Sequence, residues 1–372
     1  MKYLARSNPG VNNEYTPDYT PKVSIITAVY NEESILKEKF DCLEKLEFPR
    51  KNLHIFFGSD KSTDRSNEML RAFEKKNDHV TFIPFNERRG KIGVINSLGE
   101  MAIERFGQSE DHIFLYNDAN VMIPPDLVKR IAANFSDGKL ALVDANMMSR
   151  NLSKMGISRA ERAYINREVL LKHWEGQVWG TLQGAFGGCY GLRSTFFIKV
   201  PPNYLVDDFY ISFNAMLNGG WAVNDLNAKC YESASHDIWQ EFKRKSRISA
   251  GNYQNLSFIF GMWNKARLPL KFCFLSHKVI RWVGPFLMLF SVLSLIFLWI
   301  EGESFYGALF WISLIGAIVI PLLDIIMSRL GRHVDILRKI RYFIMMNIAL
   351  LTGFFKYVKG IQNSFWEPPK RV

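Results

Sequence analysis

The chain has 372 residues and a mass of 43.0 kDa; 48% of its residues are hydrophobic and 22% charged, which excludes an intrinsically disordered protein and leaves room for one large or two smaller folded units. Its 47 Lys and Arg outnumber 36 Asp and Glu to give a net charge of +11, a surplus that suits nucleic acid, anionic small molecules and an anionic membrane face alike. Cys42, Cys189, Cys230 and Cys273 lie far apart without paired spacing, which argues against a disulfide framework or a zinc knuckle and for a reduced, cytosol-facing catalytic region.

Residues 1–20 form a polar segment without an apolar core long enough for a signal peptide, so export of the catalytic part is not expected. PKVSIITAVYNEE then reads as a β-branched strand running into a turn, followed by a helical pattern through SILKEKFDCLEKLEF that Pro49 ends. NLHIFFGSDKSTD and the helix RSNEMLRAFEKKN repeat the arrangement, and HVTFIPF, GKIGVINSLGEMAIERFG and DHIFLYNDAN continue it. Strands separated by helices predict right-handed βαβ units and a mostly parallel sheet, hence an α/β fold class. From residue 130 to 235 the pattern loosens: LALVDANMM reads as a strand, SRAERAYINREVLLKHW as a helix, LQGAFGGCYGLRSTFF as a glycine-punctuated strand and loop, and YLVDDFYISFNAMLNGG as an acid-led helix with glycine at its end.

Near residue 282 the composition changes. WVGPFLMLFSVLSLIFLWI (282–300) carries no charge and is long enough to cross about 30 Å of hydrocarbon, as is FYGALFWISLIGAIVIPLL (305–323); the EGES between them permits only a turn, so the two form a hairpin. Lys278 and Arg281 flank the first run, and Arg329, Arg332, Arg338, Lys339 and Arg341 follow the second. The positive-inside rule then puts both outer flanks and the catalytic region in the cytoplasm, at the cell's inner or plasma membrane. YFIMMNIALLTGFF (342–355) is shorter, and a third short span, a re-entrant helix and an interfacial helix stay open for it. The expected organisation is a polar segment (1–20), a cytosolic catalytic domain (21–235), an amphipathic Arg-rich region (236–281), a membrane region (282–358, with its third segment at 342–358) and a cytoplasm-proximal tail (359–372).

Chemistry-bearing residues gather where strands are expected to end, the usual ligand side of an open α/β sheet. Asp118 and Asn120 follow the run HIFLY and precede a double proline; an acid and an amide there offer oxygen ligands to a cation, or close an Asx-type turn. Asp60 and Asp64 in GSDKSTD can accept hydrogen bonds from a base or ribose, although Asp64 can equally cap the next helix. Arg88, Arg89 and Lys91 cluster around Gly90 and suit a diphosphate, or a solvated surface. In VDDF, Asp207 and Asp208 open a helix, where one acid can cap it and the other can take a proton; both acting as caps is the alternative. Arg244 and Arg247 share one face of a basic helix that suits a pyrophosphate, anionic lipid, or both.

Taken in order, SIITAVYNEE, GSDKSTD, ERRGKIGVIN, NDAN, GGCYGLR, VDDF and the Arg-rich helix before the hairpin resemble the family 2 glycosyltransferases, and most of all the membrane-bound branch that includes cellulose and hyaluronan synthases, over about residues 22–365. The resemblance implies a GT-A type nucleotide-sugar-binding domain with a Rossmann-like mixed sheet, followed by C-terminal membrane helices. It implies that Thr27, Glu32, Asp60, Lys91, Asp118, Arg244 and Arg247 bind the nucleotide-sugar, and that Gly187, Gly188 and Cys189 form an acceptor-side loop. Asp208 falls at the general base, with Asp207 beside it, and Asp118 with Asn120 at the site of a divalent metal, Mg²⁺ or Mn²⁺. Four positions depart from the pattern: Asn120 replaces the usual second acid, Asp207 the usual Glu, and Arg244 and Ile248 stand at the Gln and Trp of the synthases' Gln-x-x-Arg-Trp motif.

The expected activity is membrane-bound, inverting transfer of a sugar from a UDP-sugar to a lipid-linked or glycan acceptor hydroxyl, giving a β-linked product in cell-surface polysaccharide or glycolipid synthesis. Two alternatives stay open: a processive synthase working as a homo-oligomer, and a non-catalytic nucleotide-sugar-binding subunit that anchors or regulates a complex. The expected partners are the nucleotide-sugar, the acceptor and membrane lipid; the basic residues cluster at membrane flanks and the phosphate site, without a recognition helix or zinc framework, so no nucleic acid is expected. A weaker, substrate-assisted metal site is expected at Asp118, with Asn120→Asp tolerated.

Overall fold

Aromatic and β-branched runs in the first third of the chain pack into four parallel strands, β1 (Lys22–Val29), β2 (Leu53–Ser59), β3 (Val80–Pro84) and β4 (His112–Asn117). They alternate with α1 (Glu33–Glu44), α2 (Ser66–Lys76) and α3 (Gly90–Phe106). The computed structural model describes residues 16, 18–150, 158–233, 238–332 and 334–361; most of the N-terminal polar segment and most of the tail lie outside these. Next come β5 (Val121–Met122), α4 (Leu127–Asn134), β6 (Leu140–Arg150), α5 (Ser158–Trp179), β7 (Cys189–Arg193), α6 (Asp207–Leu217) and β8 (Trp221–Ser233).

All eight strands make one sheet in the order β3-β2-β1-β4-β7-β6-β8-β5, with β7 antiparallel to both its neighbours and β5 antiparallel to β8. Ile25 of β1 packs into one apolar core and its neighbour Ile26 into another on the opposite face, so both faces are covered and the strands read as unbroken apolar runs. After β3 the chain returns to the far side of β1 to form β4, which makes a topological switch point at the carboxyl ends of these strands. Strand β8 has no counterpart in the sequence reading. Its pairing with β6 slips between Ala145 opposite Asp225 and Asn146 opposite Lys229, so a bulge falls on the polar stretch NDLN and breaks the alternation that marks a strand.

Beyond the sheet, α7 (Ile238–Gly261) leads to α8 (Leu268–Phe274), which continues through a π-helical turn at Leu275–Val279 into α9 (Ile280–Ile300). The first apolar helix is therefore one rod of 33 residues, Leu268–Ile300, starting well before the uncharged run at 282. It and α10 (Ser304–Arg329) are the two helices, among the described residues, long and apolar enough to cross a membrane. The third segment lies in α11 (Asp335–Val358), which packs along α7: Ser249 Oγ donates to the Leu350 carbonyl at 2.8 Å, and Tyr253 meets Phe354 with ring centroids 5.2 Å apart. Gly353 permits that approach, since a Cβ there would lie 2.3 Å from the Ser249 side chain. Arg341 of α11 also donates to Asp324 of α10 at 2.9 Å.

Candidate active site

Lys91, in the first turn of α3, brings the scattered acids together. Its ammonium lies 2.9 Å from Asp118 Oδ1 and 3.3 Å from Asp207 Oδ2, so the carboxyl end of β4 and the start of α6 meet across one cation. Burial alone would lower the Lys91 pKa, but Asp118, Asp207 and Asp208 outweigh it and push it up. Asp208 is the converse case: burial, then the neighbouring Asp207, raise its carboxyl to about 6, against the pull of Lys91. Its Oδ1 accepts the Phe209 backbone N–H at 2.9 Å, and Gly187 leaves room for its Oδ2, because a Cβ at 187 would come within 2.4 Å. Only one of the two acids is thus engaged by the helix terminus, while Asp207 turns to Lys91.

The turn carrying Asp118 is fastened from below by a residue that the sequence pattern hides. Lys39, fully buried on α1, donates to Asn117 Oδ1, to the Asp118 carbonyl at 3.0 Å and to the Val121 carbonyl at 2.7 Å. Burial lowers its pKa to about 8, with Cys189 pulling the other way. Asn117 in turn donates to the Gly188 carbonyl at 3.2 Å, which also accepts the Asp118 N–H at 3.0 Å. The loop ending at Gly188 and the Asp118 turn are therefore stitched together. Asp144 holds the same loop from behind: Oδ1 accepts the Phe186 N–H at 2.8 Å, while Oδ2 takes Lys172 and Asn224, each at 3.1 Å.

Other sequence-derived candidates take different places. Asp60 is buried, and its carboxylate accepts Arg88 Nε at 2.9 Å, Arg89 N at 2.5 Å and Gly90 N at 3.2 Å, so it shapes the turn ahead of Lys91. Gly90 itself adopts φ 69°, which suits glycine. Arg88 stacks 3.5 Å over Tyr30 and Arg89 4.6 Å over Phe85, so of this cluster Lys91 makes the contact to Asp118 and Asp207. Asp64 accepts the Ser66 and Glu33 N–H groups at 3.0 and 3.1 Å and fastens two helix starts, the capping alternative. Glu32 is buried beside them, its N–H donating to Ser66 Oγ at 2.9 Å. Thr27 is buried within β1, its hydroxyl oxygen lacking a partner among the described residues.

Cys189 is buried opposite Asn117 in the β4–β7 ladder, a packing position. Arg247 lies in the field of Asp207, Asp208 and Asp118, with burial lowering its pKa against their pull. Arg244 instead forks onto Glu241 at 2.9 and 3.0 Å. Asn120 donates to Glu232 Oε1 at 3.0 Å; burial raises the Glu232 pKa, opposed by Arg244. Lys39, Asp144, Lys172 and Glu232 escaped the sequence reading because each gains its meaning from a partner at least 28 residues away.

The donor set suits a hard divalent ion. Asp118 supplies a half-exposed carboxylate oxygen, Asn120 an amide carbonyl, and a cation already sits at Asp118 in the form of the Lys91 ammonium. Among the described residues no three His, Cys, Asp or Glu side chains converge to hold an ion by themselves.

The family model for glycosyl transferase family 2 matches residues 24–199. The probable glycosyltransferase YdaM of Bacillus subtilis (strain 168) is 23% identical over 252 residues, 64% of this chain. A poly-beta-1,6-N-acetyl-D-glucosamine synthase of Staphylococcus epidermidis is 28% identical over 134 residues, 36% of this chain. The aligned regions span 57% and 30% of those relatives' own lengths. The structure of the mannosyltransferase PcManGT from Pyrobaculum calidifontis, in complex with GDP-Man and Mn2+, shares the fold with a TM-score of 0.69 at 17% identity, over 96% of this chain and 92% of that one. Residues 24–199 therefore match the glycosyl transferase family 2 model, and the mixed α/β sheet they share with the following strand has a GT-A-like fold.

Proposed function

We propose that the chain is a membrane-bound, inverting glycosyltransferase that moves a sugar from a nucleotide-sugar to the hydroxyl of a lipid-linked or glycan acceptor. The observation that carries this reading is the convergence of Asp118, Asp207 and Lys91, beside Asp208, at the sheet's switch point. Asp118 and the Asn120 carbonyl would hold Mg²⁺ or Mn²⁺, which when bound neutralises charge on the leaving diphosphate. Lys91 and Arg247 bind diphosphate oxygens, and Lys91 exchanges a carboxylate partner for phosphate as donor enters. Asp208, raised to about 6, takes the proton of the acceptor hydroxyl as that oxygen attacks the anomeric carbon from the face opposite the diphosphate. Attack from that side gives the inverted, β-linked product.

The loop Phe186–Gly188, tied to Asp118 through Asn117 and to Asp144 through its backbone, sets where the acceptor meets Asp208. The two apolar helices support a multi-pass membrane location with the catalytic domain in the cytoplasm. A UDP donor is favoured among nucleotide-sugars by the resemblance to the synthases. Purified protein incubated with a panel of UDP- and GDP-sugars, with and without Mn²⁺ and a lipid extract, should release nucleoside diphosphate with one donor. Binding without release across the panel would instead mark a nucleotide-sugar-binding subunit.

A further inference from the structure

Position 120 carries an amide where its neighbour Asp118 carries a charge, yet a second carboxylate stands at the same corner. Strand β5 pairs with the end of β8 so that Val121 lies opposite Glu232. That register sets Glu232 Oε1 against Asn120 Nδ2 at 3.0 Å, across 112 positions of sequence. An ionised carboxylate only accepts hydrogen bonds, so it takes the NH₂ end of the amide and leaves the carbonyl oxygen turned away from it. No hydrogen bond among the described residues is made to that oxygen. Arg244, held by Glu241, and Asp118 both lie within the electrostatic reach of Glu232.

We propose that Glu232 is a positioning residue for the divalent ion: it orients the Asn120 carbonyl as a ligand and returns, from the last strand of the sheet, the second negative charge that the 118/120 pair lacks. The proposal rests on the reading that Asp118 and Asn120 hold such an ion. It reverses the expectation for Asn120→Asp. An aspartate there would face Glu232 carboxylate to carboxylate, and like charges at contact destabilise both the turn and the ionised forms. The reciprocal pair, Asn120→Asp with Glu232→Gln, restores both the charge count and the hydrogen bond, now with glutamine Nε2 donating to the new carboxylate. Glu232→Gln alone keeps an acceptor for Asn120 Nδ2 and removes only the charge.

The test is Mn²⁺ affinity of the full chain in the presence of UDP, read from the electron paramagnetic resonance signal of free Mn²⁺. Wild type, Asp118→Ala, Glu232→Gln, Asn120→Asp and the reciprocal double variant are compared. Glu232→Gln and Asn120→Asp are each expected to weaken Mn²⁺ binding about 10-fold or more, as loss of a residue behind a metal ligand does. The double variant is expected to return to within about 3-fold of wild type, a coupling that independent sites do not show. Glu232→Gln binding like wild type, or a double variant no better than Asn120→Asp, would overturn the role of Glu232 while Asp118→Ala still loses the ion. Wild-type affinity in Asp118→Ala would overturn the metal reading itself, and this proposal with it.

Discussion

The charge at Asp208 sets a pH signature. Its pKa is raised to about 6, and the general-base role proposed for it needs the ionised form, so kcat/KM should fall tenfold per pH unit below about 6 and level off above it. Asp208→Asn should remove transfer by about 10²-fold or more while leaving UDP affinity nearly unchanged, measured by UDP release and by calorimetry. Full activity in that variant would dismiss Asp208 as the base. Lys39 gives the opposite kind of signature, in stability. Burial drops its pKa from 10.5 to about 8, so between those values the unfolded chain keeps a proton that the native lysine has lost, and stability from this group rises with pH across the window. Denaturation midpoints measured from pH 8 to 10.5 should show that rise in wild type and lose it in Lys39→Met, which should also be less stable by about 1–3 kcal/mol, because two backbone carbonyls and Asn117 lose their donor.

Asp118, Asp207 and Asp208 were legible as residues, each at the end of a strand or the start of a helix. Lys39 was not: in ESILKEKFDCLE it reads as one more polar position beside Lys37 and Glu38, and only the packing of α1 against the β4 turn shows that it points inward.

At the scale of elements, apolar period and turn residues gave most strands and helices, because those in the first third alternate regularly. Strand β8 failed the same test for a physical reason, its bulge, and with it went Glu232, whose partner is known only once β5 and β8 are paired. The loop between α5 and β7 was recognised by its glycines, but what they make room for was not. Gly187 faces Asp208 Oδ2, so Gly187→Ala must displace the carboxylate or the loop. That variant should lose about 10-fold or more in kcat, as misplacement of a catalytic group by about an ångström does, with donor affinity retained. Gly138→Ala, where a Cβ would meet nothing within 4 Å, is the matched control and should behave as wild type. Equal losses in both variants, in kcat measurements on purified protein, would dissociate the glycine from the base. The Arg-rich region also changes meaning at this scale. It is a helix, α7, that contributes Arg247 to the site from one side and receives α11 on another, through Ser249 and Tyr253.

At the scale of the whole molecule, the sequence divides sharply at residue 282, and the structure does not. Composition alone sees where charge vanishes; it cannot see that the rod beginning at Leu268 roots itself among the aromatic rings behind α6. Phe274 and Trp282 are both buried there, with ring centroids 5.2 Å from Phe213 and 5.5 Å from Phe209 respectively, and Phe209 directly follows the candidate base. Lys278, at the same root, donates to Glu168 of α5 at 2.8 Å. The same elements therefore bind the domain to its apolar helices and complete its core.

The shared root makes anchorage and foldedness one property. A chain ended at residue 267 would keep every residue named in the site, yet lose the rings that cover Phe209 and Phe213 and leave those two aromatics to water. Such a truncated form is expected to aggregate or melt without a cooperative transition, whereas one ended after residue 361, which keeps both this root and α11, should melt cooperatively in detergent; calorimetry of the two would separate them. An evolutionary corollary follows: a descendant that lost these apolar helices would first need a new cover for Phe209 and Phe213.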